Sequence, residues 1–543
     1  MRYEELSKLK KQLSMLKSER MPLETIWDNI TDFVVPNRPK FAARDVPSTR
    51  RDLELYDSTA VFANEFLAAT IHGGLTNPST KWFILRPKNK ELLQDSAVVE
   101  FLDNTTELMF DVLNDPSTGF QSNHMQLLVD LTAYGTACLS LTYDVEAGQI
   151  TYKTIHLSEL FIGEDKNDQV DTIYRKFEFT ARQAEQKWGL KNLPDNMKEA
   201  VENAPHQKFC VIHCVKPYKE YYGKKSNKFP YASVYFSEDS DHVFDEGGFT
   251  YLPYLVVRLS KLTGESYGRS PARSALADIN KLQVMAMTAM EAGQLFVRPP
   301  LMIPDDGVIS SLDTGPGGTI IGGVDSMTYQ PLVHPLNVGA RPDVFDKLLE
   351  SAKQDIYRAF YVNSLLFRDG PQMTAEEVRT RSEEQLRLLG PQVGRLQQEY
   401  LGKLIQTSFQ LLEENNLLPP LDPYTADDLG QGGMSIEYSS PLAKTQRAQE
   451  LFGMQRLMEM TMQVAQLDPK ILDVFNYERQ VRFAADVLSV PFESLNTPEE
   501  IQLIQQERAQ QQQAMMQAQM AQQQGQANLA NAQAGQIEQG GPQ

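Results

Sequence analysis

Leu6, Leu9, Leu13 and Leu16 recur at three- and four-residue spacing, the period of one helix face, so the chain opens on an amphipathic helix. Helical character extends over 1–35, and Pro22 marks a second piece carrying Trp27, Ile30 and Phe33. Residues 57–73 read as another helix that ends at Gly73-Gly74. From about 130 to 260 the apolar period drops to two. The runs 137–143, 149–154, 172–179, 209–215, 232–236 and 254–259 predict strands, separated by turns such as Glu146-Ala147-Gly148 and Glu246-Gly247-Gly248. Residues 181–187 insert a short helix stopping at Trp188-Gly189. The body is α+β.

Helical periodicity returns at 271–295, where Leu276, Ile279, Leu282, Met285 and Met290 supply the apolar stripe of one helix, roughly 37 Å long. Ser270 and Pro271 suit its N-cap and first turn. A Gly- and Pro-rich stretch, 299–342, holds short β-prone pieces at 318–321 and 327–332, and a second helix follows over 342–361. Helix, small β-containing excursion and returning helix make a hairpin with a miniature domain at its tip; an ordinary α/β connection would read alike. Beyond a loop at 361–373, Thr374 and Glu377 form a capping box for a helix reaching about Asn415, with Leu389, Val393, Leu396, Tyr400, Leu404 and Phe409 in helical register. Gly390-Pro391 must kink or break it. Residues 416–440 are a linker with 436–438 extended, and 441–460, 469–490 and 498–506 are helical. The Gln-rich end from 507 either continues as helix to Gln524 or is disordered; from Gly525 it is disordered.

Composition bounds the chemistry. The 543 residues exceed one core and imply two or three domains. No run of 18 apolar residues spans a membrane, and the N-terminus has no signal-peptide pattern. Cys138, Cys210 and Cys214 suit a reducing compartment. Cys210 and Cys214, with His213 between them and His206 nearby, invite a metal site, but on a strand the two thiols lie about 13 Å apart, so buried thiols are the better reading. The net charge of −19 does not fit a protein that grips phosphates. An acidic wall would instead repel DNA, although solubility explains acidity as well. Arg38, Lys40, Arg44, Arg50 and Arg51 form a local basic run, either a solvated surface or a protein or DNA contact.

The segment LTGESYGRSP, 262–271, nearly imitates a phosphate-binding loop. That motif needs four residues between its glycines and then Lys-Ser/Thr; here three residues separate Gly264 and Gly268, and Arg269-Ser270 follow. The bland reading is a structural hinge of Gly264, Gly268, Arg269 and Pro271, and a nucleic-acid motor using 262–270 is the sharper alternative. No His-Glu-x-x-His, Gly-x-Ser-x-Gly or Cys-x-x-Cys pattern occurs. No cofactor is implied, and the expectation is a protein that is not an enzyme.

GESYGRSP before a long helix resembles the head-to-tail connector (portal) proteins of short-tailed double-stranded DNA phages. Other blocks agree in order: Trp27-Asp28-Asn29-Ile30 ending in Val35-Pro36, Tyr56-Asp57-Ser58-Thr59-Ala60, Leu75-Thr76-Asn77-Pro78 with Trp82-Phe83, Met373 to Val378, and Val490-Pro491 before the Gln-rich tail. The resemblance covers roughly 20–500. It implies a mainly helical α+β portal fold: N-terminal helices and wing (1–270), stem helix (271–295), clip (296–341), second stem helix (342–360), tunnel loop (361–373), long wing helix and linker (374–435), helical crown (436–506) and a tail (507–543) that is disordered or packs into a barrel. It further implies a ring, typically of twelve subunits, at one capsid vertex of the virion, assembled in the host cytoplasm. Its partners would be major capsid and scaffolding proteins, a large terminase ATPase, tail adaptors and DNA passing without sequence readout, with no membrane. The family's tunnel loop would place Asn363, Arg368, Asp369 and Gln372 against DNA, and its clip would offer Arg298, Asp305 and Asp306 to the ATPase. An internal ejection protein or a tail adaptor remains the alternative of another class.

Overall fold

The computed structural model describes residues 3–41, 55–89, 96–223, 228–303, 323–335 apart from 326, 342–365, 389–420, 433–438 and 451–461, with Leu92, Ile321 and scattered positions beyond 479. The chain divides into two units. One comprises Met1–Leu85, Leu102–Asp422 and Ser435–Leu442; the other comprises Arg86–Phe101, Pro423–Met434 and Ala443–Gln543. In the second, residues 451–461 are helical and expose Phe452, Leu457 and Met460. The rest of the crown and tail expectation, and residues 374–388 of the long helix, lie outside the described residues.

In the first unit α1 (Tyr3–Phe33) runs unbroken through Pro22, where two pieces were expected. Tertiary anchors on both sides of the proline offset its missing amide. Ahead of it Leu6, Leu9, Leu13 and Leu16 are buried, and Arg20 donates to the carbonyls of Leu157, Ser158 and Leu160; behind it Trp27 and Ile30 are buried. Helix α2 (Thr59–Leu75) likewise continues through Gly73-Gly74 rather than ending there. Arg38 and Lys40 of the basic run pair with Asp130 (2.7 Å) and Asp32 (2.8 Å); Arg44, Arg50 and Arg51 lie outside the described residues.

Helix α3 (Ser96–Asn114) and helix α4 (Phe120–Tyr134) follow, neither of them signalled by the pattern of the sequence. Strands β2 (Thr136–Asp144), β3 (Gln149–Ile155) and β9 (Tyr254–Arg258) form a sheet in the order β3-β2-β9, while a short β1 (Phe83–Pro87) lies earlier in the chain. A five-stranded antiparallel sheet has β4 (Leu160–Glu164), β5 (Val170–Thr180), β6 (Lys208–Pro217), β7 (Tyr231–Ser237) and β8 (Val243–Phe249) in sequence order. Glu246-Gly247-Gly248, expected as a turn, lies inside β8, paired with Val234, Ser233 and Ala232. The strand was missed because glycines lack the side chain that gives a strand its alternation.

The two faces of this sheet follow from the two-residue period. Tyr174, Ile212, Cys214, Val234 and Phe236 meet the leucines of α1 on one face. Val211, Phe177, Phe179 and Tyr235 meet Ala184, Trp188 and Met197 of α5 (Ala181–Trp188) and α6 (Asp195–Asn203) on the other. Lys17 and Lys176, both 2.6 Å from Glu238, tie α1 to the sheet. Cys214 is buried and Cys210 half-buried, as a strand position predicts, with α7 (Tyr218–Tyr222) after β6.

Helix α8 (Pro271–Val297) packs against α9 (Pro342–Ala359), which turns through Tyr361 (φ 61°) into α10 (Val362–Leu365). The hairpin is therefore two residues longer at α8 and two shorter at α9 than its sequence signals. Between the helices β10 (Leu301–Met302) pairs with β11 (His334–Pro335). Of residues 327–332, expected to be β-prone, Pro331 forms an antiparallel bridge with Val324, closed by a turn at Asp325 whose carboxylate accepts the Met327 amide and the Thr328 hydroxyl; of 318–321 only Ile321 is described. The chain resumes as α11 (Gly390–Leu396), a π turn (Gln397–Leu401) and α12 (Gly402–Glu414), then β12 (Met434–Tyr438).

Candidate functional site at the base of the helical hairpin

Strand β9 leads through 259–270 into α8, so this loop fixes where the long helix leaves the body. Ser270 caps the helix, its Oγ accepting the Arg273 amide at 3.0 Å, and Pro271 fills the first turn. The same Oγ donates to the Ala133 carbonyl at 2.6 Å, pinning the helix start to the end of α4. Arg269 closes a bidentate pair on Glu265 (2.8 and 2.7 Å).

Gly268 crosses Gly135 backbone to backbone. A Cβ on Gly268 would lie 2.1 Å from the Gly135 carbonyl oxygen, and one on Gly135 would lie 2.5 Å from the Arg269 carbonyl carbon. Gly264 has φ of +85° and open space around it. The loop amides are already committed: Gly268 to Thr136 Oγ1 (2.7 Å), Arg269 to the Ser260 carbonyl (2.7 Å) and Glu265 to the Leu262 carbonyl (3.2 Å). A phosphate-binding loop needs such amides unpaired and converging. The Gly268–Gly135 crossing and the Ser270 cap fix the start of α8 against the end of α4.

Behind the loop lies a buried charge cluster. Arg258, 1% exposed at the end of β9, donates its amide and Nε to Glu399 Oε2 (3.2 and 3.1 Å) and Nη2 to Glu399 Oε1 (2.9 Å). Further donors reach Glu164 and the carbonyls of Asp168 (2.8 Å) and Ser266 (3.3 Å). Lys261 adds a contact to Glu164 at 2.6 Å and Arg395 one to Glu399 at 2.9 Å. Burial disfavours the Arg258 charge, but Glu399 and Glu164 more than offset it and its pKa rises. One guanidinium thus joins β9, the β4–β5 turn, the hinge loop and the π turn.

A second clamp joins α8 and α9 to the segment just before α2. Gln283 of α8 accepts the Tyr56 and Asp57 amides (2.9 and 3.1 Å) and donates to the Asp57 carbonyl (2.7 Å). The Asp57 carboxylate pairs with Lys353 of α9 at 3.0 Å, and burial is outweighed by its bonds to Thr59 and Lys353, which lower its pKa. Asn363 donates to Gln354 at 3.0 Å, just past α9. Arg298 caps the far end of α8, about 40 Å from Pro271 along the helix. Arg368, Asp369, Gln372, Asp305 and Asp306 lie outside the described residues. Sequence reasoning missed Arg258, Glu399, Gln283, Lys353 and Gly135. Arg258 alone left a signal: a charge amid the apolar run YLVVRL.

Two buried histidines and a half-buried one brace the same body. His124 bridges Tyr400 Oη and Thr76 Oγ1 (both 2.8 Å), His213 bridges Tyr254 and Ser233, and His156 meets Ser158. Burial, aided by neighbouring positive groups, depresses all three, His124 and His156 to about 3 and His213 well below its usual range. A histidine kept neutral in the fold contributes stability above about pH 6.5 that is lost as pH falls toward 3. The free energy of unfolding is expected to fall below pH 6.5 with a slope approaching about 1.4 kcal/mol per pH unit per histidine. Denaturant titrations at stepped pH check this, and His124→Gln should flatten the slope; an unchanged slope would remove His124 from the account.

A family model described as "Bacteriophage head to tail connecting protein" matches residues 6–495. The "Probable portal protein" of Bordetella phage BPP-1 is 30% identical over 516 residues, covering 92% of this chain and 90% of its own. The "Portal protein" of Salmonella phage epsilon15 is 28% identical over 525 residues, covering 94% and 92%. The "Portal protein" of Escherichia phage T7 is 22% identical over 421 residues, covering 75% and 74%. A solved structure described as "Neck of empty GTA particle computed with C6 symmetry" aligns at 10% identity over 76% of this chain and 90% of that one, with a TM-score of 0.34, too loosely to carry an argument.

Proposed function

The chain belongs to the family of bacteriophage head-to-tail connecting proteins and serves as a portal, and from that premise we propose how it works. Identical subunits, typically twelve, close a ring through head-to-tail contacts at one capsid vertex. The observation that carries this reading is the distal half of α8. Val284 (65% exposed), Met287 (40%), Met290 (51%) and Phe296 (79%) turn toward solvent in the single chain, an apolar surface that a neighbouring subunit would cover. Helix α9 differs: among its described residues the exposed positions apart from Leu348 are polar, among them Asp346, Lys347, Glu350 and Arg358, and it faces water in the bore.

Double-stranded DNA passes such a channel without sequence readout, and the net charge of −19 keeps phosphates from sticking. Asn363, in α10 rather than in a loop, narrows the bore together with Arg368, Asp369 and Gln372. Arg298, Asp305 and Asp306 at the hairpin tip meet the packaging ATPase. Major capsid and scaffolding proteins and tail adaptors complete the vertex, assembled in the host cytoplasm.

Negative-stain microscopy with mass photometry of the purified chain tests the ring: closed rings with a central hole, near twelve subunits in mass, are expected. Met287→Glu with Met290→Glu should reduce assembly at least tenfold while leaving the melting temperature of the single chain within a few degrees, because both side chains are exposed there. Rings of undiminished yield in this double variant would remove α8 from the subunit contact.

A further inference from the structure

Between α11 and α12 the helix widens into the π turn Gln397–Leu401, in which the Gly402 amide reaches back five residues to the Gln397 carbonyl. Glu399, Tyr400 and Leu401 of this wider turn are all buried. Contacts from elsewhere in the same unit hold this register. Arg258 binds Glu399, His124 meets Tyr400 Oη at 2.8 Å, and the Tyr438 hydroxyl donates to the Gln397 carbonyl at 3.1 Å.

The two flanks of the turn are unequal. Downstream, Leu404, Ile405, Leu411 and Leu412 of α12 are buried. Upstream, α11 reads Gly-Pro-Gln-Val-Gly-Arg-Leu and is only two turns long; Val393 and Leu396 are buried, Pro391 stands in the first turn, and Gly394 is a poor interior helix former. A Cβ at Gly390 or Gly394 would meet nothing within 4 Å, so close packing does not account for either glycine. Small apolar voids lie against this flank, one beside Leu389, Val393 and Leu396 and one beside Leu396, Tyr400 and Leu401.

We propose that Gly390–Leu401 is a joint. Its π register is one of two, held by the Arg258, His124 and Tyr438 contacts, and returning to α register turns the Gly390–Leu396 segment by one residue while α12 stays in the core. A π turn, a short glycine-bearing flank beside small voids, and removable catches are what such a one-residue step starts from. The joint needs nothing from the portal reading and is tested apart from it.

Hydrogen exchange of the full chain, read by mass spectrometry, tests it. Amides of 390–401 should exchange at least about tenfold faster than those of 402–414. Tyr438→Phe, which removes one catch and no packing volume, should speed 390–401 several-fold further and leave 402–414 unchanged. Gly394→Ala should slow 390–401 by up to about fivefold, because the methyl adds helix propensity and clashes with nothing. Equal protection of the two segments in the wild type overturns the proposal. So does a Tyr438→Phe variant that speeds both alike or neither, or unslowed exchange in Gly394→Ala.

Discussion

Gly268→Ala is expected to cost about 3 kcal/mol or more of stability and to detach the long helix from the body. The added Cβ would lie 2.1 Å from the Gly135 carbonyl oxygen and 3.0 Å from both the Gly135 carbonyl carbon and Arg258 Cβ. None of these atoms is the far end of a flexible side chain. Relief requires the two backbones to separate, which draws the Gly268 amide off Thr136 Oγ1 and Ser270 off the Ala133 carbonyl. Gly264→Ala in the same loop is the control. Its Cβ meets open space, so only the left-handed φ of +85° is penalised, at about 1–2 kcal/mol. Urea unfolding of both variants decides it. Equal losses would mean that the crossing relaxes freely and does not position the helix.

Arg258→Ala should be comparably damaging, by about 3–5 kcal/mol, because it leaves Glu399 buried with Arg395 and Glu164 with Lys261 where a hub had joined both. Replacing the pair together, Arg258→Met with Glu399→Leu, should cost less than the sum of the single replacements, since apolar side chains leave no buried charge behind. A double-mutant cycle in denaturant measures the difference. Strict additivity would show that the two residues do not act as one contact, and the hub would have to be abandoned.

Where the sequence was legible, its signal was local. Ser270-Pro271 at the start of α8 could be read because a cap is decided within four residues. The central strands were legible because each alternates under two apolar layers. The same local reasoning failed at Pro22 and Gly73-Gly74, where distant packing carries a helix through residues that break isolated ones. Asp57 is an instance at the site: its sequence shows a helix-start acid, while its second role, the ion pair with Lys353, joins residues far apart in the chain.

Pattern and propensity alone determined an α+β body and two long helices flanking a Gly- and Pro-rich stretch, while an ordered set of short motifs carried the resemblance to portal proteins. The tertiary structure alone decided that Gly135 lies under Gly268, that Arg258 meets Glu399 across 141 positions, and that the helix after Leu396 opens into a π turn. The division has one physical cause. Helix caps and apolar periods are free energies of neighbouring residues, whereas a backbone crossing or a buried ion pair exists only once chain entropy has been spent bringing remote segments together.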